Sequence, residues 1–277
     1  MSKIAIITIN YNDQAGLRKT IESVVAQTFT NFEFIVIDGN SSDGSKAVIE
    51  QYKNQIAYSI SEPDTGIYNA MNKGIRAATA DYVLFMNAGD LLLENNTLEK
   101  AATLIDDRFD IIYGDIIWDD KIKNKKRREF FPEKLTFRFF AETSLPHQAT
   151  FIKKSLFDTV FYYNEKLKIV SDWEFFMVAI VHKGARYKHI DLPICLYDQS
   201  GMSTNPENRK KILEEKWNAM REHFTFFADD YADIHELNTK RLQQFLYLRK
   251  FPIAFKIIKL VMNICLLFVP KMKQSKS

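Results

Sequence analysis

Asn87-Ala88-Gly89-Asp90 closes the apolar run Tyr82–Met86 with a short polar segment ending in a carboxylate. Two earlier apolar runs end alike. Ile4–Ile9, which includes Thr8, continues into Asn10-Tyr11-Asn12, and Phe34–Ile37 continues into Asp38-Gly39-Asn40-Ser41. A nucleoside needs an aromatic or apolar face and a few hydrogen-bonding edges, and a diphosphate needs a cation or backbone N–H groups. Tyr11 offers the face and Asp38 an acceptor for a base N–H, while Asp90 offers an oxygen ligand to a hard divalent cation, Mg²⁺ or Mn²⁺, that bridges phosphates. Each segment alone is ordinary turn chemistry. Three at matching strand ends favour a ligand. Asp43 reads as a helix N-cap.

The elements that must position these groups alternate. Strands are expected at Ile4–Ile9, Phe34–Ile37, Ile56–Ile60 and Tyr82–Met86, with helical stripes between them such as Leu17, Ile21, Val24 and Val25 or Ile67, Ala70, Met71 and Ile75. That alternation specifies an α/β domain with a largely parallel sheet, whose ligands bind at the carboxyl ends of the strands. Beyond Asp110, Ile111–Trp118 and Glu129–Phe131 read as a hairpin with a basic tip from Lys121 to Arg128, Gln148–Ile152 and Tyr187–Ile190 as strands, and Trp173 to Val181 as an amphipathic helix. Tyr197 to Asn208, with Ser200, Gly201 and Ser203, reads as a loop, either plain surface or one that closes over a diphosphate. The remainder reads as helical.

Composition excludes several classes. With 46% hydrophobic and 26% charged residues the chain is globular, and a net charge of +3 supplies no global field for nucleic acid. Abundant Phe and Tyr suit ring-binding pockets and an aromatic core equally. Cys195 and Cys265 make no disulfide framework or metal cluster. Ile4–Ile7 is too short for a signal peptide, so the catalytic body is expected in the cytoplasm. There is no G-x-x-x-x-G-K-[ST] and no G-x-G-x-x-G after the first strand, which excludes a P-loop and argues against a dinucleotide-binding dehydrogenase.

In order, Thr8-Ile9-Asn10-Tyr11-Asn12, Val36-Ile37-Asp38-Gly39-Asn40-Ser41-Ser42-Asp43-Gly44 and Phe85-Met86-Asn87-Ala88-Gly89-Asp90 resemble family 2 glycosyltransferases of GT-A fold. Glu62 to Gly74 and Pro146-His147-Gln148-Ala149-Thr150-Phe151 narrow the resemblance to the bacterial branch that builds capsule, O-antigen and colanic-acid units. The resemblance spans residues 3–205. It implies a GT-A nucleotide-binding domain over 1–205, with a donor half (1–115) and an acceptor half (116–205), followed by a helical extension over 206–277. It further implies a nucleotide-sugar donor (a UDP-sugar favoured), a divalent metal (Mn²⁺ or Mg²⁺) and transfer of a hexosyl or N-acetylhexosaminyl group with inversion. By position Thr8, Asn10, Tyr11, Asp38, Asn72, Lys73, Asn87 and Ala88 would serve the donor, and Asp90 would hold the metal. Asn87 and Gly89 stand where many members have an acid, and Gly39 follows Asp38 where many have a second one.

Inverting transfer needs a carboxylate to take the acceptor proton. The family's base opens a helix in an acidic pair, and the matching segment Ser171-Asp172-Trp173-Glu174 assigns it to Asp172. Ser171 and Glu174 also read as a capping box, which does not account for Asp172. His147, Gln148 and Trp173 are further donor or acceptor contacts, with a packing role open for each. From Phe251 to Val269 the chain is apolar but carries Lys256 and Lys259, which suits an interfacial amphipathic helix aided by Lys271, Lys273 and Lys276. Packing onto the protein itself or a homodimer through these helices is the other reading. The resulting expectation is an inverting glycosyltransferase at the cytoplasmic face of the inner membrane, acting on a lipid-linked or oligosaccharide acceptor. A nucleotidyltransferase would show a Gly-rich basic loop after the first strand, and Ile9–Gly16 has none. A catalytically impaired nucleotide-sugar sensor or membrane scaffold draws support only from the acids missing at Asn87 and Gly89.

Overall fold

The computed structural model describes residues 3–120, 125–197, 203–228 and 239–270. The chain divides into two compact units with the boundary after Phe224. In the first unit strands and helices alternate as β1 (Ile4–Asn10), α1 (Gln14–Val25), β2 (Phe32–Asp38), α2 (Ser45–Gln51), β3 (Tyr58–Ser61), α3 (Ile67–Ala77) and β4 (Tyr82–Phe85). β1 is buried along its whole length, as its unbroken apolar run requires of a strand covered on both faces. It pairs in parallel with β2, from Ile4 opposite Phe32 to Asn10 opposite Asp38, and with β4 on its other side. β3 extends β2, again in parallel. All four strands therefore point their carboxyl ends at one edge. α3 lies close on β1 because residue 74 is glycine: a Cβ there would meet Ile7 Cγ2 at 2.4 Å.

The second half turns the sheet around. β5 (Leu91–Leu92), α4 (Thr97–Leu104), β6 (Ile111–Asp120), β7 (Lys125–Glu129), α5 (Phe137–Glu142), β8 (Thr150–Lys153), α6 (Ser155–Thr159), α7 (Ser171–Met177) and β9 (Tyr187–Tyr197) follow. The strand order is β3-β2-β1-β4-β8-β6-β9-β5, with β7 beside β6. β8 runs antiparallel to β4 and β6, and β9 runs parallel to β6. The architecture is α/β as expected, but the sheet as a whole is mixed, its parallel part confined to the nucleotide-binding half.

Some local expectations change and others fall outside the described residues. The basic residues Lys125 to Arg128 belong to β7 rather than to a free tip, and Arg128 is paired with Asp115 and Asp191; residues 121–124 lie outside the described residues. Ser200 and Gly201 of the expected closing loop also lie outside them, as do Lys271, Lys273 and Lys276. The capping box is not formed. Ser171 is the first helical residue and accepts the Asn164 N–H, while Glu174 pairs with His223 at 3.0 Å. Asp43 is not the N-cap of α2, which is Gly44; from one residue earlier it accepts the Ser45 N–H, and its other oxygen accepts the Gln14 N–H.

Helix α8 (Arg209–His223) belongs to the first compact unit, which runs on to Phe224. The reason is Glu215, whose carboxylate accepts the N–H groups of Lys168, Ile169 and Val170, together with the burial of Ala219 and Met220. The second unit contains α9 (Lys240–Leu248) and α10 (Pro252–Leu266), with Phe245 against Phe255 and Tyr247 against Phe251. Among the described residues no helix is long and apolar enough to cross a membrane.

Candidate active site

At the carboxyl edge of β1, β2, β3 and β4 lies a cavity of about 800 Å³. Asn10, Tyr11, Gly39, Asp64, Asn87 and Ala88 are among the residues that line it. Its rim holds unusual backbone. Asn12 (φ 51°) and Asn40 (φ 63°) are left-handed without being glycine, a conformation Asn tolerates better than most residues and one that gathers at functional sites. Gly39 packs against two side chains of the cavity, since a Cβ would meet Asp64 Oδ2 at 2.5 Å and Tyr11 Cδ2 at 3.0 Å unless they shift. Tyr11 is 68% exposed, an aromatic face turned to solvent at the cavity mouth.

Asp38 sits beneath the cavity and not in it. One carboxylate oxygen accepts Asn10 Nδ2 at 2.8 Å and Ser41 Oγ at 2.6 Å, and the other accepts the Ser41 N–H at 2.9 Å and the Ser61 hydroxyl. These donors fill the roughly four lone-pair sites of a carboxylate. Burial pushes its pKa up, but the hydrogen bonds from Ser41, Ser61 and Asn10 outweigh it, so the group stays below the usual carboxylate range. A base N–H could reach Asp38 only by displacing one of them; its place in this structure is to tie the ends of β1, β2 and β3 together. Thr8, fully buried two residues before Asn10, likewise lies below the cavity. The polar atoms left over are more telling: Asn10 Oδ1 and Asn87 Oδ1 are buried, belong to cavity-lining residues and have no hydrogen-bond partner. Such orphans cost about 1–3 kcal/mol each unless a ligand or water satisfies them.

Asn72 and Lys73 are not brought to the cavity. Asn72 Nδ2 donates to Tyr163 O at 2.8 Å and to Glu165 Oε1 at 2.9 Å, and Lys73 pairs with Glu62 at 2.7 Å. Lys73 braces the segment 62–66 that forms one wall, and Asn72 holds the segment 163–165.

A second cavity, of about 290 Å³, is lined by His147, Gln148, Asp172, Trp173 and Lys216 among others. Asp172 opens α7, where its charge meets the helix dipole favourably. Its Oδ1 accepts Tyr68 Oη at 3.0 Å and the Trp173 N–H at 3.0 Å, and its Oδ2 lies 2.9 Å from His147 Nδ1. Burial raises its pKa, but the hydrogen bond from His147 and the donors at Trp173 and Tyr68 prevail, leaving it below the usual range. Asp172 is thus an ionised acceptor beside a cavity. The other nitrogen of His147, Nε2, lies 3.2 Å from Asn87 Nδ2. With Asn87 donating, Nε2 accepts and the ring proton sits on Nδ1, toward Asp172. Asn87 lines the first cavity, so one imidazole joins the two.

Tyr68, His147 and Lys216 complete this site beyond the acidic pair. Tyr68 gave no signal in sequence because it lies far from Asp172 along the chain. Lys216 did: Ile212, Lys216, Ala219 and Met220 follow helical spacing, with Glu215 and Lys216 as the charged members of that face. Trp173 is buried, with its indole N–H donated to Phe140 O at 2.7 Å, so it is a wall and not a free contact.

For a divalent cation the donor set is oxygen. Asp90 is 5% exposed at the turn after β4, with Gly89 left-handed (φ 100°), and the orphaned Asn87 Oδ1 belongs to the same turn. Carboxylate and amide oxygens are the ligands that Mg²⁺ and Mn²⁺ prefer, so these residues fit. Among the described residues the cluster of three potential ligands is elsewhere, at Glu174, Glu222 and His223.

The profile of glycosyl transferase family 2 matches residues 5–162. The PGL/p-HBAD biosynthesis glycosyltransferase of Mycobacterium tuberculosis is 27% identical over 76% of this chain and 82% of its own length. An uncharacterized glycosyltransferase of the same species is 30% identical over 74% of this chain and 78% of its own. The fold is that of S. aureus TarS 1-349: one crystal structure aligns at TM-score 0.62 and 21% identity, with 80% of this chain covering 66% of TarS, just under two thirds. A second, in complex with UDP-GlcNAc, aligns at 0.65 and 20% identity over 86% of this chain and 74% of TarS. The mannosyltransferase PcManGT from Pyrobaculum calidifontis, in complex with GDP-Man and Mn²⁺, aligns at 0.60 and 15% identity over 95% and 80%.

Proposed function

The chain belongs to glycosyl transferase family 2, and from that premise we propose that it carries a sugar from a nucleoside-diphosphate donor in the first cavity to an acceptor hydroxyl in the second, with inversion and with Asp172 as the base. The observation that carries this reading is the line Asn87–His147–Asp172, which runs from the wall of one cavity to an ionised carboxylate in the other.

In the reaction the acceptor oxygen forms a bond to the anomeric carbon as the bond from that carbon to the diphosphate oxygen breaks. The hydroxyl proton passes to Asp172, and the nucleoside diphosphate leaves with the electron pair. Tyr68 and the Trp173 N–H fix Oδ1, and His147 steadies Oδ2, so the base is held ionised and oriented before substrate arrives. Tyr11 offers the base its stacking face, and the amide oxygen of Asn10 accepts from the donor's N–H or O–H groups. A Mn²⁺ or Mg²⁺ held by Asp90 and Asn87 would neutralise charge on the departing diphosphate. A UDP-sugar with a hexosyl or N-acetylhexosaminyl group is the favoured donor, in keeping with UDP-GlcNAc in TarS.

The acceptor is proposed to be lipid-linked, in cell-surface polysaccharide biosynthesis at a membrane surface. Support comes from α10, where Ile253, Ile257, Leu260 and Ile264 recur at helical spacing and are all at least half exposed. Fifteen residues at about 1.5 Å each fall short of a hydrocarbon core of about 30 Å, so the helix would lie in the interface. A test of the function is transfer and hydrolysis with a panel of nucleotide sugars, with and without chelator. One donor consumed in a chelator-sensitive manner is expected; consumption of none would defeat the reading.

A further inference from the structure

We infer that Lys216 is the anion-binding residue of the second cavity, so that the acceptor presents a carboxylate or phosphate group to it; this rests on reading that cavity as the acceptor's. Lys216 stands on the buried face of α8 and is 9% exposed. Its ammonium lies 4.8 Å from the Trp173 ring centroid, and its hydrogen bond, to Thr143 O, is 3.5 Å long, at the limit of the interaction. An ammonium carries three donors. Among the described residues no carboxylate lies within ion-pair distance of it, and Asp172 acts on it only through its field. Burial lowers its pKa to about 8, which still leaves most of it charged at neutral pH.

On the buried face of α8 Glu215 is satisfied by three backbone N–H groups, whereas Lys216 beside it has no carboxylate partner, and an unpaired ammonium there is costly. Leucine or methionine would pack the same space without charge. The charge therefore points to something that enters. The neighbouring walls are the aromatic rings of Trp118, Phe131 and Trp173, which suit the apolar face of a sugar, with Asp172 at hand for its hydroxyl. At about 290 Å³ the space is near the lower limit of ligand cavities, roughly 300 Å³, and suits one sugar-sized group. A neutral sugar would leave Lys216 buried and uncompensated, whereas an anionic one pairs it, so the lysine selects among acceptors.

The test is titration of the full chain, followed by tryptophan fluorescence, with methyl glucuronide, glucose 1-phosphate and methyl glucoside. At least one anion is expected to bind about tenfold more tightly than methyl glucoside, a preference of about 1.4 kcal/mol. A preference for the glucuronide identifies a carboxylate, for the phosphate a phosphoryl group, and equal binding of both a site for charge alone. Lys216→Met should erase the preference and Lys216→Arg should keep it. Should Lys216→Met fail to fold, the wild type decides, because its anion affinity must fall as pH rises through about 8. No anion binding in the millimolar range, equal binding of the neutral glucoside, or an unchanged preference in folded Lys216→Met would overturn the proposal. Parallel titration of the wild type with UDP and GDP separates the two readings. Nucleotide binding without anion binding removes the role of Lys216 alone, and anion binding without nucleotide binding removes the donor site.

Discussion

His147 Nδ1 lies 2.9 Å from Asp172 Oδ2, so the carboxylate at the start of α7 is held ionised by a ring from the turn before β8. The sign of its effect is definite. The folded pKa of Asp172 is depressed, with His147 the largest lowering influence. Removing the ring in His147→Ala should raise that pKa and move the acidic limb of kcat/KM to higher pH, with activity at neutral pH down about 10²-fold, the lower end for a positioned proton acceptor. A pH–rate profile checks this; an unmoved acidic limb would show that His147 does not act through Asp172.

Asp38 is predicted to matter for folding more than for binding. Asp38→Asn leaves buried donors facing donors, and stability should fall by about 2–4 kcal/mol in denaturant titration. Because the folded pKa is lowered, the stabilisation is present above the unfolded value of 3.8 and lost as pH falls through the folded one. The variant should therefore show a shallower acid transition than the wild type.

Much of this was legible beforehand, and the parts that were not share a cause. The buried runs of β1, β2 and β4 announced themselves, and with them the edge where Asn10, Tyr11 and Asn87 gather. Asp172 was marked by its place in an acidic pair at a helix start. What the chain order hid was pairing across distance. Asp38 was expected to face a base, but Asn10, Ser41 and Ser61 close on it from neighbouring strand ends. Ser171 and Glu174 matched a capping box, yet Asn164 and His223 take them. Lys216 stood out only as a charge on a helical stripe, and the fold puts it against Trp173 and Lys73 on Glu62.

The pair of Glu174 and His223 gives a pH signature of opposite sign. The hydrogen bond and charge of Glu174 raise the His223 pKa against the effect of burial. Its stabilisation is thus complete below the unfolded value of 6.5 and is lost as pH rises through the folded one. His223→Ala should lower Tm at pH 6 by more than at pH 9. Equal losses at the two pH values would contradict the pairing.

Asn87 serves both the donor cavity and His147. Asn87→Ala should weaken Mn²⁺-dependent nucleotide binding about tenfold, the loss typical of a ligand or its immediate support, and calorimetry with and without Mn²⁺ measures it. Nucleotide affinity unchanged in the presence of Mn²⁺ would exclude the Asn87 amide oxygen as a metal ligand.

The base assignment is tested most directly by Asp172→Asn, which keeps the shape of the side chain and removes its charge. Single-turnover transfer from bound donor should fall by about 10³-fold or more, while the nucleotide-sugar Kd stays within about threefold of wild type. Transfer at the wild-type rate in the folded variant would contradict the account.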